Sequence, residues 1–158
     1  MSEAASRIVI TREAGDSADA RYCLGSYLTE LAQRFEEGFD PSRGNNLTVE
    51  DVTPPAGYFL IARLDGKPIG CGALKRLAAT EGEVKRVWVA RDARGLGVAS
   101  RLMDALEKLA RELGFQTVKL DTNRTLVEAQ AMYAKRGYRE IARYNQNPYA
   151  HHWFEKAL

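Results

Sequence analysis

Apolar residues at Ala20, Cys23, Leu24, Tyr27, Leu28, Leu31 and Phe35 recur at the spacing of a helix with one buried face. Asp16 and Ser17 stand where an N-cap is wanted, and Gly38 stands where the helix can stop. Ahead of it, Ile8 to Thr11 alternates weakly as a first strand. Past residue 57 the period changes to two. Tyr58 to Arg63 and Pro68 to Leu77 are joined through Asp65-Gly66, a pair that tolerates the positive φ of a type I′ turn and so predicts a hairpin. A looser turn over Ala78 to Gly82 leads to a third strand, Glu83 to Val89, which completes an antiparallel meander. Between helix and hairpin, Phe39 to Gly57 contains Pro41, Gly44, Asn45, Asn46, Pro54 and Pro55. This stretch predicts irregular chain around at most a short helix near Val49, placed to form a wall of a pocket.

The helical period returns at Val98, Leu102, Met103, Leu106, Leu109, Ala110 and Leu113, with Gly114 as a terminator. A strand over Phe115 to Asp121 follows, with Val118 and Leu120 on one face. Asn123 and the pair Thr125 and Glu128 then offer caps for a helix through Arg136, ended by Gly137. Tyr138 to Tyr144 and His152 to Lys156 read as closing strands. Strand, helix and strand from Glu83 to Asp121 favour a right-handed parallel crossover. The expected fold is therefore α/β, a mixed sheet in which an N-terminal meander carries a βαβ unit, with helices on both faces. No repeat, linker or low-complexity tract divides the chain, so residues 1–158 read as one domain.

Composition changes this picture little. With 45% hydrophobic and 28% charged residues the chain matches an ordinary globular protein rather than a disordered one. Lys and Arg number 23 against 21 acidic residues, and a net charge of +2 announces neither a nucleic-acid partner nor an acidic membrane surface. Apolar runs are too short to span a bilayer, and Met1 to Arg7 shows no leader pattern, so cytoplasmic residence is the expectation. Cys23 and Cys71 lack any disulfide or zinc spacing and read as small buried hydrophobes, and no metal site is expected.

Candidate chemistry concentrates at Val87-Trp88-Val89-Ala90-Arg91-Asp92-Ala93-Arg94-Gly95-Leu96-Gly97-Val98-Ala99-Ser100. This segment joins a strand to a helix. Its small residues admit a ligand close to the backbone, and the first helical turn offers unpaired N–H groups at the positive end of the dipole. With Arg94 beside them, a pyrophosphate is the natural occupant. The plainer alternative is that Gly95 and Gly97 only make a tight turn. A Walker loop is excluded because Val98 and Ala99 follow Gly97 where Lys and Ser or Thr are required. A dinucleotide fingerprint lacks its third glycine, although Asp121 stands where a ribose-binding acid is expected.

Arg94-x-x-Gly97-x-Ala99 resembles the acyl-CoA signature of the GNAT superfamily of N-acyltransferases. The resemblance extends to Glu83 through Val89, to Leu120-Asp121-Thr122-Asn123, and to Ala131 through Tyr138, which is similar to the family's Tyr-x-x-x-Gly-Phe/Tyr element. It covers about residues 58 to 144. The resemblance implies that backbone amides of Gly95, Leu96, Gly97, Val98, Ala99 and Ser100, with the Arg94 side chain, hold the CoA pyrophosphate. Val87 and Val89 would align the pantetheine arm like an added strand, and an amide near Val89 would polarise the acetyl carbonyl. Trp88 either joins this contact or turns to the opposite face as core. Asn123 is a cofactor contact or a helix cap. Tyr133 is the implied general acid for the departing thiolate, with buried packing as the alternative.

An amine with a pKa near ~10 must lose a proton before it attacks a thioester. Glu83 is the leading candidate base, directly or through water, with a structural role as the alternative; His151 or His152 is a second candidate. Tyr27, Glu30, Phe35 and Glu36, with the stretch Tyr144 to Tyr149, are candidate acceptor contacts, as aromatic walls and a carboxylate; core packing, solvation and a turn at Asn147-Pro148 are the alternatives. The resemblance implies transfer of acetyl from acetyl-CoA, a cosubstrate, to a primary amine of a small molecule by direct attack in a ternary complex. Alternatives are a protein N-terminus or lysine as acceptor, or a noncatalytic acyl-CoA-binding sensor. Pairing with a second copy as a homodimer is also implied for the family.

Overall fold

The computed structural model describes residues 2–43 and 47–158; Gly44, Asn45 and Asn46 of the irregular connection lie outside the described residues. Seven strands form one sheet in the order β1-β2-β3-β4-β5-β7-β6. They are β1 (Ile8–Glu13), β2 (Gly57–Leu64), β3 (Lys67–Ala78), β4 (Glu81–Val89), β5 (Thr117–Thr122), β6 (Arg139–Ile141) and β7 (His152–Ala157). The helices are α1 (Glu3–Ser6), α2 (Ala18–Arg34), α3 (Val98–Glu112) and α4 (Val127–Lys135). Among the described residues only β4 and β5 pair in parallel, the two strands that α3 connects, so the expected crossover on a meander is present.

Local chemistry accounts for most boundaries. Asp65 and Gly66 both adopt positive φ, 51° and 84°, as the hairpin turn requires. The Ser17 side chain accepts from the Ala20 amide at 3.1 Å and caps α2. That helix ends at Phe35, short of Gly38, because Phe35 is already extended. The turn between β3 and β4 is tighter than expected, and α1 was not signalled by any apolar period. The second closing strand is β7, inserted between β5 and the short β6. The chain from 142 to 151, expected partly as strand, instead crosses the end of β5.

Alternate residues of β3 separate the two helical layers. A Cβ on Gly70 would lie 2.9 Å from the Trp88 carbonyl oxygen and 3.1 Å from Val98, and one on Gly72 would lie 2.9 Å from Leu106. Those glycines let α3 lie close, and Leu102, Met103 and Leu106 on its inner face are fully buried, each contributing about 1.5–3 kcal/mol. Cys71 between them turns to the opposite face, beneath α2, and meets the equally buried Cys23. The close approach of the two free thiols lowers the Cys23 pKa and raises that of Cys71, whose Sγ donates to the Arg86 carbonyl at 3.3 Å.

Two departures from regularity in β4 open the sheet. Cys71 pairs with Trp88 and Ala73 with Lys85, so two residues of β4, Arg86 and Val87, oppose Gly72 alone; Arg86 takes φ 59° at this bulge. Parallel pairing with β5 stops at Glu83 and Lys119. Beyond that point the strands part, leaving one edge of β4 without a strand partner.

Candidate active site

Gly95 and Gly97 adopt φ 88° and 77°, a region that disfavours any side chain, and apart from the adjoining chain no atom of the described residues lies within 4 Å of a Cβ built on either. The requirement for glycine is therefore conformational, and the space a Cβ would fill is open to a ligand. No acidic residue occupies the first turn of α3 and no side chain caps it, so its N–H groups face that space. The small residues and donors fit a pyrophosphate. The adjoining cavity, about 280 Å³, runs along Val87, Trp88 and Val89 to Ala129, Met132 and Tyr133 of α4. The apolar walls and the unpaired edge of β4 suit an extended arm carrying amides. The Leu96 side chain, in contrast, packs toward the core.

An ionic strap crosses the mouth of this cavity. Arg94 donates to Glu30 at 2.7 Å, Glu30 lies 3.7 Å from Arg34, and Arg34 reaches Glu128 at 2.8 Å. Glu30, expected near the acceptor, is thus engaged on the phosphate side.

A second, polar chamber of about 80 Å³ opens in the gap between β4 and β5. Lys85, Arg86 and Asp121 face it from the strands, and Phe35, Phe39 and Tyr149 wall it. Phe39 is contributed by the irregular connection that was expected to form a wall. Tyr27 and Tyr133 border both spaces. Burial pushes the Tyr27 phenol up to about 12, Asp121 adds to the rise and Arg86 opposes it. Burial also raises Tyr133 well above an ordinary phenol, with Tyr27 and Asp121 contributing. Both are neutral hydrogen-bond donors at physiological pH.

Asp121 is held by the segment that crosses β5. Asn145 donates to its Oδ2 at 2.6 Å and Asn147 to its Oδ1 at 3.2 Å. Trp153 orients Asn145 through a 2.9 Å bond to the amide oxygen. The same Asn145 amide reaches Glu83 at 3.3 Å, and Tyr144 donates to that Glu83 oxygen at 2.6 Å.

Several site expectations change accordingly. Glu83 is 3% exposed and borders neither cavity, so direct contact with an acceptor is replaced by a link through Asn145. Tyr144 likewise stands behind the site, bound to Glu83. Asn123 does not cap α4, whose N-cap residue Leu126 carries no side-chain cap, and it borders the polar chamber rather than the cavity beside the phosphate cradle. Its Oδ1 accepts from Thr125 and its Nδ2 donates to the Tyr149 carbonyl at 2.7 Å, pinning the crossing segment. His151 accepts from the Arg124 amide at 3.1 Å and His152 pairs with Glu140, both away from the two cavities. Trp88 is buried against Tyr22 of α2, with ring centroids 6.4 Å apart, and also borders the first cavity. Tyr27, Phe35, Arg94, Val98, Ala99 and Ser100 do line the site. Asn147 and Tyr149, within the stretch expected to wall the acceptor pocket, do line the chamber, whereas sequence reasoning assigned neither Lys85 nor Asp121 a role here. Asp121 within the quoted strand end was the one available signal.

No group of three or more metal-ligating side chains occurs among the described residues. No helix among them is long and apolar enough to cross a membrane.

Comparison with known proteins bears on the same features. The model of the Acetyltransferase (GNAT) family matches residues 25–138, which include the cradle, both splayed strands and Tyr133. An IAA acetyltransferase of Azospirillum brasilense is 34% identical over 115 residues, 70% of this chain and 74% of the relative. Among solved structures, a GNAT-family acetyltransferase from Staphylococcus aureus Mu50 superposes with TM-score 0.78 at 18% identity, covering 95% of this chain and 98% of that one. A GNAT acetyltransferase from Elizabethkingia anophelis with acetyl-CoA bound gives TM-score 0.68 at 16% identity, covering 97% and 99%. The glycine cradle, the parted strands and these matches agree, and the chain belongs to the GNAT family of acyl-CoA-dependent acetyltransferases.

Proposed function

We propose that the protein transfers acetyl from acetyl-CoA to a primary amine of a small molecule, within the cytoplasm, in a ternary complex. The observation that carries this reading is the meeting of the two spaces at Tyr133 and the free edge of β4. One is shaped for a phosphate-bearing arm and the other is small, polar and walled. The relative named IAA acetyltransferase also favours a small acceptor over a protein.

Backbone amides at the start of α3 hold the pyrophosphate, with Arg94 released from Glu30 as its cationic partner. The edge at Val87 to Val89 binds the pantetheine amides and directs the thioester toward the polar chamber. Acetyl-CoA supplies an activated acyl group. Asp121 takes the place first given to Glu83: it accepts the proton of the acceptor ammonium, held in orientation by Asn145 and Asn147. The amine lone pair forms the C–N bond, the C–S electron pair leaves on sulfur with the Tyr133 phenol hydrogen-bonded to it, and the extra proton left on nitrogen passes to that thiolate to give the amide and CoA thiol. Because Tyr133 lies above a thiol near ~8.5, it acts chiefly by stabilising the developing thiolate. Glu83 positions this arrangement through Asn145.

Thiol release from acetyl-CoA on adding small amines or peptides tests the assignment. Turnover with small amines is expected. Acetyl-CoA binding without thiol release from any amine would replace it with a sensor, and release with peptides alone would replace it with a protein acetyltransferase.

A further inference from the structure

Lys85 is the unexplained group of the polar chamber. Its side chain is only 6% exposed, yet among the described residues its ammonium has one ionic partner, Glu83 Oε1 at 3.6 Å, and forms no hydrogen bond. The other Glu83 oxygen is already taken by Tyr144 and Asn145. No fully buried side-chain nitrogen among the described residues is left without a hydrogen-bond partner, so this ammonium, with three donors, keeps some access to solvent, and Lys85 lines the chamber. Arg86, next along the bulge, adds positive potential that reaches the Tyr27 phenol at the chamber's border. Lys85, Arg86 and Asp121 thus border the same chamber.

Resting on the acetyl-transfer reading, we infer that the acceptor is an α-amino acid with an apolar side chain. Its carboxylate lies on Lys85, its ammonium on Asp121, and its side chain against Phe35, Phe39 and Tyr149. The geometry of the wall supports this division. Lys85 and Asp121 both line the chamber from neighbouring strands, and behind them Glu83 and Asn145 link the two through contacts at 3.6, 3.3 and 2.6 Å. The three rings cluster with centroids 4.7 to 5.7 Å apart and offer an apolar surface adjoining it. A carboxylate on Lys85 would supply the missing acceptor, and an ammonium on Asp121 would balance the charge it brings.

The test compares matched acceptors that share an α-amine: phenylalanine and leucine, their C-terminal amides, and the decarboxylated amines. With acetyl-CoA saturating and each amine compared at equal concentration of its neutral form, kcat/KM should favour the free acids by about ten-fold or more. Lys85→Gln should lower kcat/KM for the acids about ten-fold more than for the amides. A thermal shift of the CoA complex should appear with the acids and be weaker with their amides. Equal or better turnover of amides or decarboxylated amines, or an equal loss for both classes in Lys85→Gln, overturns the inference while leaving acetyl transfer intact. Stabilisation by the acids without thiol release from any amine would instead retain the ligand class and refute the transfer. Absence of both stabilisation and turnover with the acids refutes the ligand class outright.

Discussion

The two spaces that meet at Tyr133 are built from different materials. The phosphate end is made of backbone: amides of the first turn of α3, two glycines at positive φ, and the unpaired edge of β4. The polar chamber is made of side chains from five separate stretches of chain, with Asp121, Asn145 and Asn147 locked to one another. A backbone site recognises a constant group and is damaged by conformation. A side-chain site recognises a variable group and is damaged by loss of a charge. Substitutions in the two should therefore separate cofactor affinity from acceptor turnover.

The largest effect is expected at Asp121. Asp121→Asn should lower kcat about 100-fold or more while leaving acetyl-CoA affinity nearly unchanged, and the defect should shrink as pH rises because more amine arrives neutral. A pH–rate profile with a uniform defect would remove Asp121 as proton acceptor. Glu83→Gln should cost less at every pH, since it acts only through Asn145.

Next comes the cradle. Gly97→Val combines the left-handed strain of a branched residue with lost approach to the amides, and calorimetric titration should show acetyl-CoA affinity weakened about fifty-fold. Unchanged affinity in the folded variant would take the segment out of the site. Tyr133→Phe, at the junction, should lower kcat about ten-fold with the cofactor still bound tightly. If turnover with the best amine is untouched, Tyr133 only packs. The smallest effect belongs to the strap. Glu30→Gln frees Arg94 from a partly exposed ion pair and should tighten acetyl-CoA binding about two- to three-fold. Weaker binding in that variant would mean that Glu30 holds Arg94 in its productive position.

The same division explains what could be read from the sequence. Arg94 to Ser100 is contiguous, so its glycines and missing acids carry their meaning locally, and the Gly70 and Gly72 spacing records the approach of α3. Asp121 was visible, but its role depends on amides 24 and 26 residues further along the chain. Nothing local in the sequence reveals that Lys85 and Glu83 are both buried. The bulge left no trace, since an arginine rather than a glycine occupies its positive φ.

That bulge also makes β4 sensitive to counting. Partners across an antiparallel ladder share a face, so Lys85 and Trp88 lie on the face of Ala73 and Cys71 although an odd number of steps separates them. Remove one residue and the parity reverses. Trp88 would then be driven toward Leu102 and Leu106, where glycines leave room for a helix and none for an indole. The strand therefore records its phase in length more than in identity: a single-codon deletion at Arg86 should be more damaging than most replacements there.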